Sequence, residues 1–209
     1  SATSPVAFLN VTVNNAGGAT LTAARGTTFT TSVDEVTYNY VVKDATIITP
    51  TDGVYTFSNL PIYEGTLVTN KFTTDTSNAD QRFLIRNNLA DTTTLKVTVQ
   101  NSSTDTTSST YSLSTDLADI TSTSKVYYLE GAEDQQYEIK FGDDILGAAL
   151  STGNIVTLSY IVTSAEESNG ASLFSLSGNI GGFSDVAIST VTNSANGAQP
   201  ETPDSIRFN

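Results

Sequence analysis

Short stretches of the chain alternate between apolar and polar side chains, and this period of two constrains the fold more than any other feature. Residues 8–13, with the sequence FLNVTV, place apolar side chains on one face and polar side chains on the other. Residues 95–99, LKVTV, repeat the pattern. Successive side chains of a β-strand point to opposite faces, so one face can be buried while the other meets solvent. The alternation therefore predicts antiparallel sheets with one face in a core.

The composition agrees with a β fold. The 209 residues include 35 Thr and 24 Ser. Threonine is β-branched and favours strands, whereas serine favours turns. Residues 14–18 and 50–53, rich in Asn, Gly and Pro, indicate turns between strands. The predicted fold class is all-β, with mainly antiparallel sandwich or barrel-like sheets and little helix.

A chain of this length can form one large β domain or two small ones. We predict an N-terminal β domain over residues 1–75, a β region over 76–124 and a further β domain over 125–200. The polar run at 73–80 suggests the first boundary. Residues 101–110 contain no apolar side chain, so we expect an exposed loop or the tip of a long hairpin there.

Two segments carry helix signals. In residues 111–124, three apolar side chains recur at roughly helical spacing, which favours a short helix. In residues 201–209, Thr202 is followed by Pro203 and then an acid, a pattern typical of a helix N-terminus. We expect this segment to begin a following helical unit. Because the chain also lacks Met, we expect it to be an internal fragment of a longer protein.

The residue types that are missing exclude several kinds of chemistry. The chain has no His and no Cys, so it has no ordinary zinc site, no Ser-His triad, no cysteine nucleophile and no disulfide. Its net charge of −13 disfavours binding to nucleic acid and to anionic membrane surfaces. No apolar run approaches the roughly 20 residues that a membrane-spanning helix needs. We therefore expect neither an enzyme nor a cofactor.

Acidic side chains are the remaining candidates for a catalytic or metal site. Their spacing does not match a calcium-binding loop, and Asp is also an ordinary turn residue because its carboxylate binds nearby backbone amides. We interpret the acidic groups as turns or solvated surface. They are Asp143 and Asp144 in one turn, Asp75 and Asp80 in a polar loop, and Glu130, Glu133, Asp134 and Glu138 around another turn.

The most specific pattern lies in residues 137–160, YEIKFGDDILGAALSTGNIVTLSY. An alternating strand ends at Phe141, and Gly142-Asp143-Asp144 breaks it in a turn. A second alternating strand begins near Val156. The glycines between them supply backbone freedom. The pattern predicts a β-hairpin with an irregular connection.

This segment resembles the J-like baseplate family of contractile-tailed bacteriophages. That family usually has Gly where this chain has Asp144. Similarity continues at Asn169-Gly170, at Gly178 and through residues 196–209. Within the family, large wedge subunits of myovirus baseplates are the most similar, with further resemblance in stretches 25–31, 55–66 and 82–104. The residues that match in the signature segment are Phe141, Gly142, Asp143, Gly147, Leu150, Gly153, Ile155 and Tyr160.

The resemblance implies a structural protein of the virion. Members of the family dimerise, surround the central hub of the baseplate and help transmit the trigger for sheath contraction. The expected partners are other baseplate proteins and a second copy of the subunit, with assembly in the host cytoplasm and no nucleic acid, membrane or cofactor. The signature residues would then be structural: Phe141, Gly142, Asp143, Gly147, Gly153 and Tyr160.

Two other functions fit parts of the sequence. A secreted carbohydrate-binding β-sandwich would suit the acidic surface and any Tyr or Phe exposed on its strands, although the missing Trp counts against it. A polysaccharide-degrading enzyme would need paired carboxylates across a cleft, for which Asp143 and Asp144 are the candidates.

Overall fold

A computed structural model describes residues 1–201, which form β-strands joined by turns, loops and three 3₁₀ turns, with no α-helix among them. The predicted all-β fold class is confirmed. The predicted helix start over 201–209 lies outside the described residues, apart from Glu201. The strands are β1 (Val6–Val13), β2 (Leu21–Ala23), β3 (Thr28–Val33), β4 (Val36–Val41), β5 (Thr46–Ile48), β6 (Tyr55–Glu64), β7 (Thr66–Thr73), β8 (Phe83–Ile85), β9 (Ala90–Gln100), β10 (Ser108–Leu113), β11 (Val126–Gly131), β12 (Tyr137–Phe141), β13 (Ile155–Val162), β14 (Ser175–Ser177) and β15 (Val186–Ala195).

The chain divides into two compact units that are discontinuous in sequence. The first unit contains residues 1–67, 91–93 and 161–201, and the second contains 68–90 and 94–160. These boundaries differ from the three consecutive segments expected from composition. The polar run at 73–80 is a loop within the second unit rather than a boundary. Pairing between strands far apart in sequence determines the units. The composition of a segment gives no information about which distant strand it pairs with.

The first unit is built on a six-stranded sheet in the order β14-β3-β4-β6-β1-β15. Strand β1 lies between β6 and β15 and is antiparallel to both. Its side chains alternate as predicted, because Leu9, Val11 and Val13 are buried while their neighbours are half-buried. The core also contains large aromatic side chains, and the Tyr40 ring packs edge-on against Phe174 with centroids 5.0 Å apart. The short pair of β2 and β5 completes the strands of this unit.

An irregular segment before β14 forms hydrogen bonds both to β15, at one edge of this sheet, and to β3 and β4, near the opposite edge. The hydroxyl of Tyr40 on β4 lies 2.7 Å from Ser168 Oγ. The Ser194 amide on edge strand β15 donates to the Ala171 carbonyl, and Thr31 Oγ1 on β3 donates to the Leu173 carbonyl. Residues 168–173 therefore bridge β15 and the β3–β4 pair without forming a strand.

The second unit is built on a seven-stranded sheet in the order β7-β13-β9-β10-β11-β12-β8. Strands β10 and β11 are parallel, while β12 is antiparallel to both of its neighbours. The hairpin predicted for residues 137–160 is wrong, because β12 pairs with β11 and β8, whereas β13 lies between β7 and β9. The alternating pattern correctly indicated that Ile139, Val156, Leu158 and Tyr160 are buried, although it left out the buried Ile161. The pattern contains no information about the partner strand.

The polar stretch after β9 is exposed, as predicted. Strands β9 and β10 form an antiparallel pair, and residues 101–107 make the turn between them. Within this turn, Asn101 Nδ2 donates to the Asp105 carboxylate at 3.0 Å. That hydrogen bond, with help from the Thr107 amide, holds the pKa of Asp105 below its usual value.

The helix favoured for residues 111–124 is wrong. Strand β10 continues to Leu113 and pairs with β11, and the helical part is a single 3₁₀ turn over Leu117–Asp119. Pairing with a neighbouring strand satisfies the backbone of residues 112 and 113, so tertiary structure overrides the local spacing.

Glu64 at the end of β6 is a buried carboxylate in the first unit. Its side chain is 3% exposed. Its Oε2 atom accepts hydrogen bonds from Thr163 Oγ1 at 2.6 Å and from the Ser164 amide at 2.8 Å. Burial raises the pKa of Glu64, and these hydrogen bonds oppose the rise without cancelling it.

We expect Glu64→Gln to change how stability depends on pH. The native state keeps the Glu64 proton to a higher pH than the unfolded chain does, so the wild type loses stability as pH rises above the ordinary glutamate pKa. Glutamine retains an oxygen that accepts both hydrogen bonds but does not titrate. Urea unfolding between about pH 4.5 and pH 7.5 should show the variant gaining stability relative to wild type as pH rises. Glu166→Gln, at an exposed position, is the matched control. A difference that stays constant across this range would contradict the prediction.

Candidate functional site

Phe141 anchors the signature segment to the second unit. Its ring packs edge-on against Phe83 of β8, with centroids 5.5 Å apart, and against Tyr111 of β10, with centroids 5.6 Å apart. Edge-to-face pairs of this kind add to the energy of apolar burial. Phe141 therefore packs between strands that are distant in sequence.

After β12 the chain folds back on itself at two glycines. The backbone of Gly142 is so close to Gly147 that a Cβ atom at Gly142 would lie 2.1 Å from the Gly147 carbonyl carbon. Gly147 has a φ of +95°, a conformation that glycine adopts readily. Its amide donates to the Thr121 carbonyl, and its carbonyl accepts from the Asp144 amide. These contacts require glycine at both positions.

The two aspartates of this loop act as turn residues. Asp143 Oδ1 accepts hydrogen bonds from the amides of Ile145 and Leu146, at 3.0 and 2.9 Å. These bonds lower the pKa of Asp143. Asp144 Oδ1 accepts from the Ala149 amide at 2.8 Å. A glycosidase needs two carboxylates facing a substrate across a cleft, whereas these two bind the backbone of their own loop.

The backbone at Asp144 is also informative. Its φ is +66°, in the left-handed region that favours glycine. Aspartate is one of the few other residues that tolerate this conformation, because its short side chain bonds locally. An Asp at this position is therefore compatible with a turn built for glycine.

Gly153 and Tyr160 lie away from the loop that contains the other signature residues. Gly153 has a φ of +89° and donates its amide to the Thr74 carbonyl at 2.8 Å. Tyr160 on β13 is buried, which raises its pKa. Its hydroxyl donates to Asn70 Oδ1 on β7 at 2.6 Å. The structure thus brings Phe141, Gly142, Asp143 and Gly147 together, and places Gly153 and Tyr160 beside β7.

Two basic residues that sequence analysis did not connect with the acidic cluster around β11 and β12 pair with three of its four carboxylates. Arg82 bonds to both carboxylate oxygens of Glu133 and, at 2.9 Å, to Glu138. The hydrogen bonds from Arg82 lower the pKa of Glu133 to about 2. Lys140 lies 2.9 Å from Glu130. The sequence could have placed Lys140 near the cluster, since it lies two residues after Glu138 and so on the same strand face. Nothing local indicates Arg82.

Each unit has a surface groove that the sequence did not reveal, because strands far apart in the chain form its walls. The groove of the first unit has a volume of about 710 Å³ and is lined largely by hydroxyl side chains of β3, β4 and β15, with Leu173 and Phe174. The groove of the second unit, of about 440 Å³, lies between residues of β7 and those in and after β8.

Across residues 1–201, no three Asp or Glu side chains are placed to hold a metal ion. No helix in that range is both long and apolar enough to cross a membrane. No protein-family model and no curated protein matches the chain. The features that point to a function are therefore the resemblance of the signature segment and the geometry of these surfaces.

We expect Gly142→Ala to destabilise the second unit by about 3 kcal/mol or more, because the added methyl group would meet backbone that cannot move aside. Urea unfolding monitored by tyrosine fluorescence measures the loss. Gly131→Ala is the matched control, since a Cβ there meets no atom within 4 Å. Equal stability of the two variants would show that the loop can relax.

Proposed function

We propose that this chain is a structural segment of a baseplate wedge subunit in a contractile-tailed bacteriophage, of the J-like type. The observation that carries the proposal is the use of the signature residues. Phe141 packs between strands, Gly142 and Gly147 allow two backbone segments to touch, and Asp143 caps its own loop. These residues stabilise packing and backbone conformation, which is the role expected of signature residues in a structural protein.

The charged groups support the same proposal. Arg82, next to β8, pairs with Glu133 in the turn before β12 and with Glu138 on β12, so these carboxylates hold two parts of the unit together. The net charge of −13 gives the surface a strong negative bias. Like charge keeps copies of a subunit apart in solution until specific contacts form, which suits a particle component that accumulates before assembly.

Immunogold electron microscopy of virions tests this proposal. Antibody raised against the chain should label the end of the tail distal to the head, because the baseplate lies there. Pre-immune serum and an antibody against a head protein serve as controls for background and for position. Virions that remain unlabelled after partial disassembly would overturn the proposal.

The groove of the first unit favours a second candidate, a carbohydrate-binding module. Its walls carry the hydroxyls of Thr30, Ser32, Thr37 and Thr190, and the apolar side chain of Leu173 is 82% exposed at its rim. Sugar rings combine hydroxyl groups with apolar faces, so a groove that offers both kinds of contact suits them.

Titration with a glycan panel separates the two candidates. If the groove binds sugar, binding should saturate, and Thr37→Val should weaken it about threefold or more through loss of one hydrogen bond. Thr106→Val, in the exposed turn of the second unit, is the matched control. Absence of saturable binding across the panel would remove this candidate and leave the structural proposal intact.

A further inference from the structure

Strands β7 and β8 follow each other in the chain but do not pair. They are the two edges of the seven-stranded sheet. The two strands are in contact at the end nearest their connecting loop. There the rings of Phe72 and Phe83 pack with centroids 5.5 Å apart, and Gln81 Nε2 donates to the Thr73 carbonyl at 2.8 Å. Beyond this contact no ladder joins the strands, and the groove of the second unit lies between them. We call this opening the seam.

The backbone of β7 faces the seam with unpaired groups. The amide of Thr74 donates to the Asn154 carbonyl, and its carbonyl accepts from Gly153. Thr74 therefore directs both groups toward the β13 side. Backbone groups alternate along a strand, so those of Lys71 and Thr69 point to the opposite edge, as does the Thr73 carbonyl that Gln81 binds. An edge of this kind is a template for an additional strand.

The seam is also positively charged within an acidic chain. Lys71 and Arg86 are exposed, and neither lies within ion-pair distance of a carboxylate in residues 1–201. Arg86 also acts at longer range on Glu133, outside the seam. Nearby Arg82, in contrast, contacts two carboxylates. No acidic side chain is among the residues that line the seam, which are Thr69, Asn70, Lys71, Phe72, Leu84, Arg86, Asn87 and Tyr160.

We propose that the seam binds an extended, acidic segment of a partner protein, which adds to the sheet as a strand along β7. Its backbone pairs with the free groups of Thr69 and Lys71. Its carboxylates lie against the Lys71 ammonium and the Arg86 guanidinium, and an apolar side chain meets Phe72. Strand addition gives affinity through the main chain, while side-chain contacts select the partner. The inference goes beyond the baseplate proposal and does not depend on it.

Fluorescence anisotropy with labelled peptides tests the inference. A peptide that alternates valine and glutamate should bind the chain in a saturable way below about 1 mM, and more weakly as salt is added. A peptide that alternates valine and lysine should not bind. Lys71→Gln and Arg86→Gln should each weaken binding of the acidic peptide about threefold, and about tenfold together. Lys96→Gln is the matched control, because Lys96 is also exposed but lies on β9, outside the seam.

A proline substitution separates strand addition from simple attraction of charge. Thr69→Pro removes an amide that faces the seam and keeps both cations, so binding of the acidic peptide should fall at least fivefold. Circular dichroism should show an unchanged β fold, because edge strands tolerate proline. Equal binding of acidic and basic peptides, or unchanged binding in the double variant, would overturn the inference. A third pattern would also overturn the inference. In that pattern acidic oligosaccharides bind through Lys71 and Arg86, and Thr69→Pro does not change binding of the acidic peptide. None of these results bears on the location of the chain in virions.

Discussion

The position of β1 between β6 and β15 is the constraint on which the first unit depends. One neighbour follows β1 within the N-terminal part of the chain, and the other comes near the end of the described residues. Together they satisfy the backbone of β1 on both sides, which allows its alternate side chains to be fully buried. Because β1 and β15 pair, the two parts of the second unit, residues 68–90 and 94–160, lie in the chain between strands of the first unit.

Polar groups are used in this protein mainly to fix backbone geometry. Asp143, Asp105 and Asn87 each bind amides or side chains of their own turns, and Glu64 binds a residue pair about a hundred positions away. Such bonds stabilise irregular connections that a sheet of short strands needs in large number. The seam differs from this general use, because two cations, Lys71 and Arg86, line it and no acidic side chain does.

Local features of the fold could be predicted from sequence, and nonlocal ones could not. The burial of Leu9, Val11 and Val97 follows from alternation alone, because a strand has a fixed side-chain period. The pairing of β12 with β8 does not follow, since period two is the same for every partner. The failed helix near Leu117 has the same origin, because pairing of β10 with β11 overrides local spacing. The role of Gly142 was visible as a turn signal, but the close approach of Gly147 was not. Neither groove could be predicted, for the same reason that the predicted hairpin was wrong. The walls of each groove come from strands that the fold brings close together, and no local sequence pattern indicates which strands these are.

The discontinuity of the first unit has a kinetic consequence. During synthesis β1 emerges early, but its outer neighbour β15 emerges only after the whole second unit has been made. Residues 68–160 can therefore acquire much of their structure while β1 still has one unpaired edge. Contacts between residues so distant in sequence close slowly, because the entropy of a long loop must be lost first. The unpaired edge of β1 is a site where a nascent chain could associate wrongly with another copy, and completion of β15 ends that exposure.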